Sequence, residues 1–231
     1  MSDVSLIYTD RSVSFIDIST RESCQLELYR MFGYRRGRRA AMPQVRKIED
    51  AELMQRLARI FKDVGYEAAS LAVLANATGL KKASLYHRFP LGKEQMAEEV
   101  LAFTNQILDT HVFPVLSDVT RPEKKMSSFV RVIDEFYLNG NESCLLNLLC
   151  PPRGEESARA KAIAATFKRL IDALTHVAEE TGAPKKLAKA RAEHALVELH
   201  GALVLARATG DDKVFQRMLT RLPTIILTSD S

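Results

Sequence analysis

One stretch constrains this chain more than any other: Gly65 to Met96, GYEAASLAVLANATGLKKASLYHRFPLGKEQM. Its pattern predicts a short helix, a glycine turn, a second short helix with a basic start, and a proline stop. That is the grammar of a helix-turn-helix, whose second helix suits the DNA major groove. Ser70 is placed to cap the first helix by accepting a backbone N–H bond. Leu74 and Ala75 should face inward, with Ala75 small enough for the second helix to cross closely. Gly79 falls where the turn calls for positive φ, which costs glycine little. Leu80 and Leu85 should pin the second helix on the first, Phe89 should close the apolar side, and Pro90 ends the helix at the residue before it. The remaining face carries Lys81, Lys82, Ser84, Tyr86, His87 and Arg88, all hydrogen-bond donors or donor–acceptors and none acidic.

From about Ile48 to Met96 these residues resemble the DNA-binding module of the TetR family of transcriptional regulators. The match comprises a helix ending in Phe61, Val64 and Gly65, the GYEAAS entry, the LA…GL turn and the run SLYHRFPLGKEQM. The Tyr-His-x-Phe-x…Lys-Glu string is its specific part, and the FPLGKE spacing is similar to the LmrA/YxaF-like subgroup. The resemblance implies an all-α fold, with an N-terminal three-helix DNA-binding head and a C-terminal helical domain for ligand sensing and dimerisation. It implies a homodimer, a double-stranded DNA operator and a small-molecule effector.

Lys81 and Lys82 open the reading helix, where an ammonium group reaches phosphate or guanine edges. Ser84 is small enough to touch a base or a nearby phosphate. Tyr86 and His87 match the family's Tyr-His pair, which commonly contacts the backbone. Lys93 matches a phosphate-contacting lysine of the family, and Ser70 could donate to phosphate while capping its helix. Phosphate contacts set register and base contacts set sequence. Two alternatives stay open: Arg88 reads equally as solvated surface, and Tyr86 as a ring covering core with its hydroxyl in water.

Composition agrees without deciding. The 231 residues are 46% hydrophobic, enough for a substantial core. The formal net charge of +4 and pI near 9.0 are compatible with DNA. Cys24, Cys144 and Cys150 are too few and odd in number for a disulfide scaffold, which suggests a reducing cytoplasm. No apolar run approaches the roughly 18–20 residues of a membrane span. The N-terminus carries Asp3 and Asp10 where a secretion signal needs basic residues.

Residues 1–42 do not fit the remainder. They read as a poorly ordered tail or an upstream start with Met42 the true one, and alternatively as a basic arm, around YRRGRR, that tracks phosphates or enters the minor groove. Residues 43–92 form the expected DNA-binding domain and 93–231 the expected helical body. Apolar spacing predicts helices over about 47–64, with Leu53, Leu57, Phe61 and Val64 inward and Gly65 as cap, and from about 92 to Pro114. Further helices are predicted over 121–138, 144–149, 155–180, 185–208 and 212–222. Ala195–Ala206 is apolar almost all round, so one side should meet its own domain and another a twin helix across a two-fold axis. A ligand cavity is expected among Phe103, Ile107, Phe129, Ile133, Phe136, Tyr137, Leu145, Leu148, Phe167 and Ile171, an aromatic stripe that reads equally as plain core. Cys144 and Cys150 read as inert thiols, with oxidant sensing the alternative. His194, Glu198 and His200 lack the Cys or Asp partners of a metal site, so no metal is expected. No G-x-S-x-G, H-E-x-x-H, phosphate loop or dinucleotide fingerprint occurs, so neither an enzyme nor a cofactor is expected. The function these readings imply is a repressor released from a palindromic operator by its effector. An activator of the same fold and an all-helical enzyme or carrier are the alternatives.

Overall fold

The computed structural model describes residues 49–228; the readings placed on 1–42, and the first residues of the helix expected from 47, lie outside that range. Among the described residues the fold is all-α, with no strand. No helix there is long and apolar enough to cross a membrane.

Helix α1 spans Asp50–Ala68 and buries Leu53, Leu57 and Phe61 on one face. Its regular run breaks at Gly65, at φ 77° and ψ 171°, before a last short turn. Val64, expected inward, is instead 40% exposed, because the chain swings away from the core at the next residue. Helices α2 (Leu71–Thr78) and α3 (Lys82–Arg88) follow, and then α4 (Lys93–Ile107).

The α4 path did not stop at Pro114 as expected. A wider π turn over Leu108–Val112 leads directly into α5 (Phe113–Ser117), with Pro114 in its first turn. Proline lacks an N–H and collides with the carbonyl four residues back. The extra residue in the π turn relieves that collision, and the chain stays helical.

Helix α6 (Pro122–Phe136) ends in a 3-10 turn over Leu138–Gly140, where Leu138 and Asn139 take positive φ. The one-turn helix α7 (Leu145–Leu148) comes next. Helix α8 (Ala158–Glu179) starts three residues later than its pattern suggested, because the Ser157 hydroxyl accepts from the Ala160 N–H at 3.1 Å and caps it there. Helix α9 (Lys185–Thr209) ends at Gly210 in the left-handed region.

Helix α10 (Lys213–Leu227) overruns the expected end at Leu222 and passes through Pro223. An interior proline costs about 3 kcal/mol. Leu222 and Ile226, both essentially unexposed, each contribute about 1.5–3 kcal/mol by burial, so packing offsets the broken bond.

Helix α9 packs against α8 and α10, and α10 also against α6. Helix α4 touches both α1 and α8, and α1 rests on α7. The apolar core therefore runs without interruption from Leu53 near one end to Ile226 near the other.

Candidate nucleic-acid interface

The α2–turn–α3 unit is held at three points. Ser70 Oγ accepts from the Val73 N–H at 3.3 Å, the capping bond expected of it. Gly79 stands at φ 71° and ψ 13°, a conformation that would strain any side chain. Arg56 of α1 donates to the Thr78 carbonyl at 2.9 Å, tying the turn to the first helix. Leu74, Leu85 and Phe89 are fully buried and Ala75 nearly so, while Leu80 is half-buried at the edge.

With Leu85 inward, the opposite side of α3 must face solvent. Lys81, Lys82, Ser84, Tyr86 and His87 are all exposed there, and Tyr86 keeps 54% of its surface. Ser70 is exposed at the adjoining start of α2. Arg88 turns away. Its guanidinium donates to both oxygens of Glu99, at 3.2 and 2.9 Å, and lies 3.6 Å from Asp50. This clamp between α3 and α4 is neither the DNA contact nor the solvated surface between which Arg88 was read.

Lys93 stands apart from the other expected site residues. It is half-buried, and its Nζ donates to the Tyr66 carbonyl at 2.9 Å while lying 4.1 Å above the Tyr66 ring. Beside it, Arg159 of α8 is 2% exposed and binds Glu94 of α4 at 2.9 and 3.2 Å. The same guanidinium donates to the Leu149 carbonyl at 2.5 Å and stacks 3.9 Å over Tyr66. The Tyr66 hydroxyl completes the cluster with a 2.5 Å bond to Glu94. Burial pushes the Glu94 carboxyl up, but the Arg159 and Tyr66 bonds outweigh it and hold the group below its ordinary value. Burial and then Glu94 raise the Tyr66 hydroxyl, which keeps its proton. A second link joins α1 to the turn before α7, where Lys62 pairs with Glu142 at 2.8 Å, both side chains largely buried. Sequence reasoning missed these links, because their partners lie 65 and 80 positions apart along the chain.

Four of the ten expected pocket residues, Phe129, Ile133, Phe136 and Tyr137, line an enclosed cavity in the body. Phe103, Ile107, Leu145, Leu148, Phe167 and Ile171 do not line it. The cavity meets the helix one residue round from the expected face, so Thr104 and Leu108 take the places expected of Phe103 and Ile107, and on α8 Leu170 takes that of Ile171. Leu148 lines a neighbouring surface groove instead, Leu145 is core, and the Phe167 ring packs edge-on against His200 at 5.2 Å. Cys144, Leu146, Leu196, Leu199 and His200 complete the cavity wall. The free space inside is sized for water rather than for a drug-like ligand. His194 pairs with Glu198 at 3.4 Å on the outside of α9, whereas His200 points inward, so the three do not converge.

The profile of the bacterial regulatory proteins of the TetR family matches residues 53–100. The chain is 29% identical over 80 residues to the uncharacterized HTH-type transcriptional regulator YxaF of Bacillus subtilis (strain 168), a match covering 35% of this chain and 42% of that protein. It is 37% identical over 76 residues to the HTH-type transcriptional repressor KstR2 of Mycolicibacterium smegmatis, covering 33% of this chain and 37% of the repressor. Both matches thus span less than half of these curated relatives. A TetR transcriptional regulator from Legionella pneumophila has a similar structure, with a TM-score of 0.67 at 20% identity, over 78% of this chain and all of that one. One from Agrobacterium tumefaciens gives 0.65 at 22% identity, over 75% and 95%. At such identities these structures speak for the fold alone, a helix-turn-helix head on a helical body. The capped turn and the exposed basic face of α3 lie within residues 53–100, the segment that matches the bacterial regulatory proteins of the TetR family.

Proposed function

We propose that this protein is a sequence-specific, DNA-binding transcriptional regulator: a dimeric, cytoplasmic repressor, without enzymatic activity, that leaves a palindromic operator when a small molecule binds its body. The observation that carries this reading is the face of α3. Lys81, Lys82, Ser84, Tyr86 and His87 all project to solvent from a helix seated by Leu85 and aimed by the Gly79 turn. Lys81, Lys82 and Ser84 are assigned to base edges and nearby phosphates, Tyr86, His87 and Ser70 to the backbone. Lys93 reaches phosphate only with the Nζ donors left over from its Tyr66 bond. In this reading residues 43–92 are the DNA-binding domain and 93–231 the sensing and dimerisation body.

The dimer contact is assigned to α9. Val197, Val204 and Leu205 are 70%, 54% and 54% exposed and share a stripe with the exposed Gly201. A stripe of that kind on a helix already buried on its other side suits a twin helix, with glycine permitting close approach. A two-fold pair would set the two reading helices roughly 34–36 Å apart, one DNA turn.

The test is fluorescence anisotropy of the protein with the DNA beside its own gene, titrated at several salt concentrations. Competitor-resistant binding that weakens with salt, and is lost in a Lys81→Ala/Tyr86→Ala variant, is the expected result. If oligonucleotides selected from a random pool show no preferred site, the reading is overturned.

A further inference from the structure

The cavity in the body holds chemistry that an ordinary apolar pocket does not need. Cys144 Sγ lies 3.4 Å from His200 Nε2, across 56 residues of chain. His200 Nδ1 lies 2.8 Å from the Leu196 carbonyl, which only accepts, so Nδ1 carries the hydrogen and Nε2 faces the thiol as an acceptor. The Phe167 ring packs edge-on against His200 and holds the imidazole in that orientation. Tyr137 lines the same cavity, and its hydroxyl and the Asn147 backbone N–H both act to lower the Cys144 thiol. Burial alone would raise the thiol, but His200 and these donors bring it below its ordinary value. His200 shifts the opposite way, upward despite burial, through the same bond. An adjacent base and convergent donors are what make a thiol a nucleophile.

Cys144 and His200 form the wall shared by the inner cavity and an outer groove edged by Ser143, Asn147, Leu148, Leu203, Val204 and Arg207. Val204 belongs to the stripe assigned above to the twin helix, so the way in is from the Ser143, Asn147 and Leu148 side, where the sulfur is the first reactive group that an entering molecule meets. The remaining inner lining is apolar, apart from the Tyr137 hydroxyl and the Thr104 hydroxyl, the latter committed to the Val100 carbonyl at 2.9 Å.

We propose that Cys144 and His200 are a reactive thiol–imidazole pair, and that the effector is a small apolar carbon electrophile of the α,β-unsaturated carbonyl class, captured covalently by Cys144. The effector part rests on the regulator reading above. In the capture step His200 Nε2 takes the thiol proton and the sulfur forms a bond to the β-carbon. The double-bond electrons move toward the carbonyl as an enolate, and the imidazolium returns its proton to the α-carbon. Sulfur and hydrogen are thereby added across the double bond, with no leaving group and no oxidant.

The adduct also has somewhere to send its effect. The cavity has room for about a water, so several added heavy atoms must displace the wall. The wall at Cys144 belongs to the segment Tyr137–Leu149, which carries Glu142, the partner of Lys62 on α1, and the Leu149 carbonyl, held by Arg159, the partner of Glu94 on α4. Displacing this segment pulls on both connections to the DNA-reading helices.

The experiment uses the full chain with Cys24→Ser and Cys150→Ser, an operator selected from random oligonucleotides, and two probes, N-ethylmaleimide and hydrogen peroxide. Intact mass and peptide mapping follow the thiol, and anisotropy follows DNA. Expected are complete maleimide labelling of Cys144 in the folded protein, at least tenfold slower labelling in His200→Gln, and at least tenfold weaker operator binding after labelling. Tyr137→Phe, which keeps the ring, should also slow labelling, so the test survives a poorly folded His200 variant. Labelling only after addition of urea overturns the thiol pair. Complete labelling with unchanged DNA affinity overturns the effector assignment, and so does release by peroxide but not by maleimide. If the unlabelled protein prefers no DNA site, the regulator reading falls and takes the effector assignment with it, while the labelling rates still judge the thiol pair.

Discussion

Replacing Arg159 by alanine tests the joint between the reading head and the body. The buried guanidinium serves four partners at once, Glu94, Glu155, the Leu149 carbonyl and the Tyr66 ring. Its removal leaves the Leu149 carbonyl without its donor in a buried site, at about 1–3 kcal/mol. The Glu94 side chain is 35% exposed and can recover water, so loss of the ion pair should cost about 1 kcal/mol rather than the about 3–5 of a fully enclosed pair. The stacking on Tyr66 adds about 0.5–1 kcal/mol. Because the partners share one network these contributions do not simply add, and a net loss of about 3 kcal/mol is expected. Urea unfolding at fixed protomer concentration would measure it, with Arg159→Ala/Glu94→Gln closing a double-mutant cycle whose coupling should be about 1 kcal/mol. Acid supplies an independent check of sign. Glu94 sits below its ordinary value of 4.5 in the folded chain, so its contribution is complete above that value. It is lost as pH falls through the lower folded value. The gap between wild type and variant must therefore narrow on acidification. A loss under about 1 kcal/mol at neutral pH, or a gap that widens in acid, would refute the reasoning.

Lys81→Ala and Tyr86→Ala should each weaken operator binding by about 1–3 kcal/mol, read by anisotropy. Unchanged affinity in both would remove α3 from the DNA. Gly79→Ala and Gly140→Ala make a contrast in thermal unfolding. A Cβ at Gly79 meets nothing closer than 3.5 Å, so only its positive φ is penalised, at about 1 kcal/mol. A Cβ at Gly140 would lie 2.7 Å from the Phe215 Cβ and add overpacking, for a total of about 3 kcal/mol or more. Equal effects would show that the Gly140–Phe215 contact yields readily. Val197→Glu places a charge in the assigned dimer stripe and should shift sedimentation toward the protomer; an unchanged assembly state would move the interface elsewhere.

The reading unit was legible in the sequence because its determinants are local. Ser70, Gly79 and Pro90 act on their own neighbours through caps and φ angles, and Leu74, Leu85 and Phe89 recur at helical spacing, so a short window contains both the pattern and its cause. The body was legible as a set of helices but not as a pocket. Periodicity says that a face is apolar; it does not say whether that face meets another helix or lines a cavity. Thr104 and Leu108, each one residue further along, line the cavity in place of Phe103 and Ile107. The last helix, expected to end at Leu222, runs on through Pro223 because Leu222 and Ile226 are buried. Arg159, Glu142 and the Cys144–His200 pair gave no local signal at all, since a lone arginine, glutamate, cysteine or histidine becomes a joint or a nucleophile only through the partner that folding brings to it. The sequence by itself determined the helices, their caps and the exposed basic face of α3; tertiary structure decided which distant charges meet, which thiol faces a base and where the body is hollow, because those depend on approach in space rather than spacing along the chain.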